Sequence, residues 1–176
     1  ILVYPDSYAF IDRNGKVVLS TFFCVSNTNT EFSEGLVVVY IDGKSGYIDK
    51  TGTLVIPAKY DVAYSFAEGF ASVRIGEKYG YIDKTGNLVI PAKYDYAGDF
   101  SDGLARVKIG EKYGFVNKMG ELVIPAIYDY AFDFSDGIAD VEIGGKYDYI
   151  DKTGKSVDRV YYFHEGLKRV WDNKGY

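Results

Sequence analysis

At 176 residues, 47% of them apolar and 26% charged, the chain is a globular protein long enough to bury a core of its own. Its net charge of −5 and isoelectric point near 4.9 argue against generic nucleic-acid binding, which needs a surplus of Lys and Arg to replace counterions. One cysteine, Cys24, rules out an internal disulfide framework, and no apolar run is long enough to insert into a membrane as a spanning segment. The unusual residues are 18 Tyr and 20 Gly, one favouring strands and the other turns, so many short strands separated by tight turns are expected.

In chain order, a first copy of a repeated unit reads "AFIDRNGKVV" over Ala9–Val18, and its turn glycine is Gly15. The next turn glycine, Gly52, lies 37 residues on, so three extra residues fall in the polar stretch around Ser26–Thr30. From there the spacing is fixed. Gly52, Gly86, Gly120 and Gly154 end successive "DKTG" or "NKMG" turns 34 residues apart, and Gly35, Gly69, Gly103 and Gly137 end the motif F-(S/A)-(D/E)-G at the same interval. Gly76–Gly103 and Gly110–Gly137 differ at seven of 28 positions. The last copy, from Tyr149, runs from "KTGKSVDRV" straight to "YYFHEG" and lacks the "IPAxYD" element of its predecessors. Residues 1–176 therefore read as a single array of about five copies, the first and last degenerate, and as a piece or mature form of a longer protein.

Within the copy Gly103–Gly137, "LARVKI" alternates, with Ala105, Val107 and Ile109 on one face and Arg106 and Lys108 on the other, which predicts a half-buried strand. "YGFVN" predicts a second strand and "NKMG" a hairpin loop whose Gly120 takes the left-handed conformation. "ELVI" predicts a third strand stopped by Pro125, and "AIYDYAFDFSDG" a return segment holding no more than a turn or a helical turn. A lone three-stranded meander cannot bury its apolar face, so the copies must stack. The fold class is all-β: roughly three-stranded antiparallel meanders in an open twisted array, with a closed propeller-like ring of about five blades as the alternative.

These residues resemble the WG (KWG) repeat family of bacterial proteins. The resemblance runs through Phe66-Ala67-Glu68-Gly69-Phe70-Ala71-Ser72-Val73 and Lys78-Tyr79-Gly80-Tyr81-Ile82-Asp83-Lys84-Thr85-Gly86, then Pro91 and Tyr94-Asp95. It covers nearly the whole chain from about Tyr8. The family's Trp is Tyr at 79, 113 and 147, Ser at 45 and Tyr at 8, and the following Gly becomes Ala9 and Asp148. Tyr113 is expected to keep the flat packing role as a core ring. The resemblance implies a repeat module of surface, envelope or multidomain proteins, hence a cell-surface, periplasmic or secreted location, and it implies no catalytic residues.

The remaining chemistry favours structure. His164 stands alone, without the Cys or second His of a zinc site, and Cys24 lies in an apolar run with no basic neighbour. Asp49, Asp83 and Asp151 exchange with Asn117 before the turn glycine, as side-chain turn caps do. The Asp95, Asp99, Asp102 and Asp129, Asp133, Asp136 sets have oxygen-ligand spacing, but turn chemistry is the reading preferred, and no metal or cofactor is assigned. Carboxylate pairs recur in nearly every copy, whereas an active site is unique, so no enzyme is expected. Tyr47, Tyr81, Phe115 and Tyr149, with Tyr60, Tyr94 and Tyr128, are expected in the core. The frame repeats while one set of first-strand positions varies. Tyr40, Arg74, Arg106, Lys108, Asp140 and Glu142 are read as outward binding positions whose changing charge suits a protein partner, the chain being a non-catalytic interaction scaffold. A cell-wall glycan bound on the repeated aromatics is the alternative.

Overall fold

The computed structural model describes residues 31–158, together with the backbone of four short strands outside them: β1 (Ala9–Ile11), β2 (Val17–Ser20), β17 (Val160–Tyr162) and β18 (Lys168–Val170). Cys24, His164 and the Ser26–Thr30 insertion lie outside the described residues. The described secondary structure is all strand and turn, with no helix. The chain divides into two compact units, Ile1–Phe100 and Ser101–Tyr176.

In the first unit, β3 (Leu36–Ile41), β4 (Lys44–Asp49) and β5 (Leu54–Tyr60) form one antiparallel meander. The next sheet has four strands in the order β6 (Val62–Ala63), β7 (Phe70–Ile75), β8 (Lys78–Asp83) and β9 (Leu88–Tyr94). The return strand β10 (Tyr96–Ser101) runs up to the division between the units. In the second unit, β11 (Leu104–Ile109), β12 (Lys112–Asn117) and β13 (Leu122–Tyr128) are hydrogen-bonded in sequence. A further sheet follows in the order β14 (Tyr130–Ala131), β15 (Ile138–Ile143), β16 (Lys146–Asp151).

Two expectations are corrected here. The return segment is strand, not turn: Val62 and Ala63 pair with Arg74 and Val73, and Tyr130 and Ala131 with Glu142 and Val141. It thereby adds a strand to the sheet it enters, the fourth beside β7 and the third beside β15. Nor does proline stop the third strand, since Pro57, Pro91 and Pro125 all sit inside seven-residue strands. Each of these strands is at the edge of its sheet, where a residue without an N–H is tolerated. The register slips there as well. Tyr79 opposes Tyr94 but Tyr81 opposes Ile90, so two steps on β8 match four on β9.

That bulge explains the glycine after the family's aromatic. A Cβ on Gly46, Gly80 or Gly114 would meet backbone of the third strand at 2.5–2.9 Å, at Ile90 O and Ala92 N in the case of Gly80. Only glycine lets the two backbones approach so closely. The one described copy that departs is Asp148, and it lies in the copy that lacks the "IPAxYD" strand. There the carboxylate accepts hydrogen bonds from Tyr149 N (2.8 Å) and from the Ser156 hydroxyl.

Stacking is the source of the core. In the first unit Val38, Tyr47, Ile56 and Tyr60 from one sheet pack against Ala63, Phe66, Ala71, Val73 and Ile82 from the next. In the second, Leu104, Phe115, Ile124 and Tyr128 meet Ala131, Phe134, Ala139, Val141 and Ile150. Even and odd residues of a first strand thus face different copies, and Val37, Val39 and Ile48 form a separate cluster on the opposite face from Val38. Of the predicted core rings, Tyr47, Tyr60, Tyr81, Tyr94, Phe115 and Tyr128 are buried, whereas Tyr149 is only half-buried. Each such ring contributes about 1.5–3 kcal/mol. The Tyr47 and Tyr81 hydroxyls donate to the carbonyls of Tyr64 (2.7 Å) and Gly98 (2.8 Å), and Tyr60 donates to Gly86 O (3.0 Å) in the following copy.

The family's Trp position is not the core position expected. Tyr79 and Tyr113 are half-buried, Tyr147 is exposed, and Ser45 is buried. The fully buried ring lies two residues on, at mid-strand, under an aromatic of the next copy: Phe115 meets Phe134 at 4.8 Å and Tyr47 meets Phe66 at 4.9 Å. Tyr113 sits nearer the strand end, with the two-residue β14 as its cover.

Polar ties run along the same direction. The F-(S/A)-(D/E)-G motif is a two-residue hairpin turn with positive φ at both central residues, 51° at Glu34 and 91° at Gly35. Glu34 accepts Gly69 N at 3.1 Å and pairs with Lys84, while Asp102 accepts Gly137 N at 2.7 Å. Asp61 holds Lys44 of its own copy at 2.5 Å and Gly76 N of the next at 2.7 Å. Asp129 does the same with Lys112 and Gly144 N.

The close approach at Gly114 predicts that Gly114→Ala loses about 1–3 kcal/mol in urea melts, since the β13 backbone must move. A loss under about 0.5 kcal/mol, the usual size for a neutral surface change, would show that β13 yields freely. A second expectation concerns pH. The Lys44 ammonium and the Gly76 amide hold Asp61 below the usual carboxylate range, as Lys112 and Gly144 do for Asp129. A depressed folded pKa contributes stability that is present above the unfolded value, about 3.9, and is lost as pH falls through the folded one. The melting temperature should therefore fall on acidification below about pH 4, and Asp61→Asn should flatten that fall while lowering the midpoint at neutral pH. An identical acid profile for variant and wild type would refute the clamp.

Candidate functional site: an aromatic and cationic face

With both faces of the inner sheets covered, the first-strand positions cannot form an outward stripe. Val38 and Ser72 are 2% and 1% exposed, and the Arg106 side chain is 12% exposed. Arg74, Lys108, Asp140 and Glu142 are half-buried, and Tyr40 is exposed. The six predicted positions thus share the alternate-residue face of their first strands on which Val38, Ser72 and Arg106 are covered. The structure brings Arg106 and Lys108 into one cluster on β11 and leaves Asp140 and Glu142 on β15. Tyr40 and Arg74 lie in the other unit.

In the second unit the cluster forms around Tyr113. Cross-strand pairing sets Lys108 opposite Tyr113 and Arg106 opposite Phe115. The Arg106 guanidinium lies 5.7 Å from the Tyr113 ring centre and 6.0 Å from that of Tyr130, and Lys108 Nζ lies 5.6 Å from Tyr113. Tyr113, Tyr130 and Phe132 follow one another edge-on at 5.6 and 5.1 Å, with Tyr130 42% and Phe132 50% exposed. Arg106 donates to Ala131 O and pairs with Asp133 at 3.3 Å, and Lys108 pairs with Glu111 at 3.3 Å. The first unit carries the counterpart. Tyr64, Tyr79 and Tyr96 are spaced 6.4 and 6.2 Å apart beside Arg74, which pairs across the strands with Tyr79. Burial, then the neighbouring Tyr79, raises the Tyr64 phenol pKa, against a smaller opposing pull from Arg74.

The rings that the sequence reading missed, Tyr64, Tyr96, Tyr130 and Phe132, all come from the return segment. A signal was present: the corresponding residues vary (Val62, Tyr96, Tyr130; Tyr64, Gly98, Phe132) inside a constant frame.

The repeated carboxylates are spent on turns and ties. Asp83 accepts Thr85 N, the Thr85 hydroxyl and Asn87 N at 2.6–3.0 Å, and Asn117 accepts Met119 N and Glu121 N at 3.0 Å, which is why the two residue types interchange. Among the described residues no group of three or more His, Cys, Asp or Glu is placed to hold a metal ion.

The repeat frame defines the class of the protein, and it belongs to the WG containing repeat family, whose pattern matches residues 46–79, 79–113 and 113–147 in succession. No curated protein matches the chain. Solved structures similar to it include a plant lectin with two metal binding sites from Cicer arietinum (14% identity, 69% of this chain and 84% of that one, TM-score 0.32). A plant albumin showing hemagglutination, also from Cicer arietinum, is 12% identical over 80% of this chain and 88% of its own, with a TM-score of 0.32. The hemopexin fold protein CP4 from cow pea is 16% identical over 80% and 88%, with a TM-score of 0.30. Likeness at this level transfers neither fold nor ligand.

If Phe132 belongs to a surface and Phe115 to the core, Phe115→Ala should cost about 3–5 kcal/mol and Phe132→Ala less than about 0.5 kcal/mol. Chemical denaturation of the two variants checks this, and comparable losses would mean that Phe132 is structural.

Proposed function

We propose that this repeat module is a non-catalytic interaction scaffold whose partner is a protein, received on the aromatic and cationic face. The observation that supports the reading is the row Tyr113, Tyr130 and Phe132 over Arg106, in which two rings are left about half exposed. Tyr and Arg are enriched where binding energy concentrates in protein interfaces, because they combine large apolar area with directed polar contacts.

The structure changes which residues test this. Reversing Arg106 would break its bonds to Ala131 O and Asp133 inside the fold, so loss of binding could not be told from loss of structure. Tyr130 and Phe132 are the better probes. The double variant Tyr130→Ala, Phe132→Ala should retain its melting temperature and lose, in affinity capture from native lysate, the protein that the wild type retains. A partner held equally by both forms would remove the support for this face. Saturable binding of a muropeptide in calorimetry, abolished by the same substitutions, would establish the glycan reading instead.

A further inference from the structure

The sheet of β14, β15 and β16 departs from the others at one edge. In the preceding copies the second strand lies between two neighbours, and the third strand closes its first residues in a constant way. Ser45, Tyr79 and Tyr113 pair with Tyr60, Tyr94 and Tyr128. The next residues of the third strands, Asp61, Asp95 and Asp129, hold Lys44, Lys78 and Lys112 as ion pairs. Lys146 and Tyr147 occupy the same places on β16, but β16 is the edge of its sheet. Tyr147 is 71% exposed. Lys146 is exposed as well, and it has no carboxylate partner among the described residues.

The backbone is open at the same point. Gly144 and Gly145 have φ of 58° and 74° and close a two-residue hairpin between Ile143 and Lys146. In such a hairpin the closing pair carries the inward hydrogen bonds, so the N–H and C=O of Tyr147 point away from β15. Among the described residues, the chain after the next turn covers β16 only as far back as Tyr149. Ile150 bridges Ser156, Tyr149 O accepts Val157 N at 2.8 Å, and Tyr149 N donates to the Asp148 carboxylate at 2.8 Å. The next strand, β17, pairs with β18 instead. Beside Tyr147 lies a groove of about 700 Å³, lined also by Ile143, Lys146, Val157 and Asp158.

We propose that the edge of β16 at Tyr147 accepts an extended segment of a partner protein, in which an aromatic or β-branched residue is followed directly by Asp or Glu. The template is Tyr60-Asp61, Tyr94-Asp95 and Tyr128-Asp129, which fill the equivalent place in the preceding copies. The first residue of the pair exchanges backbone hydrogen bonds with Tyr147 and sets its side chain beside the Tyr147 ring, and the acid meets Lys146. Unpaired edge backbone is a ready template for such strand addition. Asp148 stands where the other copies have Gly46, Gly80 and Gly114, so the segment cannot follow the tight bulge of a third strand and pairs at Tyr147 alone. Asp158 on the groove wall disfavours a second acid in the segment. Tyr130, Glu142 and Tyr147 stand opposite one another across this sheet, so the edge adjoins the aromatic face described above. This inference extends the protein-partner reading to a second contact, and its test uses neither Tyr130 nor Phe132.

The probe is acetyl-Ala-Ile-Tyr-Asp-amide, the sequence of residues 126–129, with its Asn counterpart as control. Each is titrated into the full chain while the backbone amides are followed by NMR. The Asp peptide should shift the Tyr147 amide saturably, with a midpoint on the order of 1 mM. The Asn peptide should bind about threefold more weakly, the size of an exposed ion pair. Lys146→Gln should erase that difference and leave the melting temperature unchanged, since no described carboxylate depends on Lys146. No shift at Tyr147, equal midpoints for the two peptides, or a difference that survives Lys146→Gln would each overturn the proposal. A lowered melting temperature for Lys146→Gln would make the lysine structural and overturn it too. Slow hydrogen exchange of the Tyr147 amide in the free protein would show that the chain itself covers the edge, and a dimer dissociated by the peptide would show that a second copy does. Either result also overturns the proposal. Failure here leaves the lysate experiment on Tyr130 and Phe132 standing, and the converse also holds.

Discussion

Everything in this chain depends on one constraint: a sheet of three or four short strands with apolar side chains on both faces is stable only between two others. Val37 and Val39 belong to one cluster and Val38 to another, although they are consecutive on one strand. A sheet with one wet face would alternate apolar and polar residues. Here the alternation weakens wherever the chain is covered on both sides, as "LVVVYI" and its burial show. The 34-residue period is the sequence consequence, because every copy must present the same two surfaces to its neighbours.

Apolar contact alone would let such sheets slide, and the polar groups define the register. Glu34 reaches Gly69 N, Ser33 Oγ reaches Phe66 O at 2.6 Å, and Asp61 reaches Gly76 N. Asp102 and Ser101 repeat the first two ties in the second unit. Surface ion pairs are worth little alone. These carboxylates do more, because each also accepts a backbone amide that stacking would otherwise leave unsatisfied. The glycines answer to the same geometry: Gly86 has a φ of 81°, and a Cβ there would come within 2.9 Å of Ile56 in the preceding copy.

Much of this was legible in the sequence. The period, the two turn motifs, the Asp–Asn exchange at 117 and the buried Tyr47, Tyr81 and Phe115 all follow from local rules that comparison of copies 34 residues apart amplifies. The losses share a cause. A strand of two residues, such as Val62–Ala63, has no alternation to display, so the return segment reads as a turn. Proline inside β9 is compatible with a strand only because β9 is an edge, which is a fact about the sheet rather than the segment. The variable residues of the first strand look outward only if one face is assumed wet. Once both are covered, Arg74 and Arg106 become half-buried cations, each opposite an aromatic residue of the neighbouring strand.

That reversal locates where function can reside in such a fold. Mid-strand positions are held by packing on two sides, and the copies agree there: Tyr47, Tyr81 and Phe115 differ by one hydroxyl. At the strand ends the cover thins to a two-residue strand, and there the copies diverge, with Ser45 against Tyr79, Tyr113 and Tyr147, and Tyr40 against Arg74, Lys108 and Glu142. Divergence at those positions costs the core nothing, because the ring two residues inward carries the packing. A repeat frame of this kind can therefore keep its architecture constant while each copy presents a different cation, acid or ring at the same place.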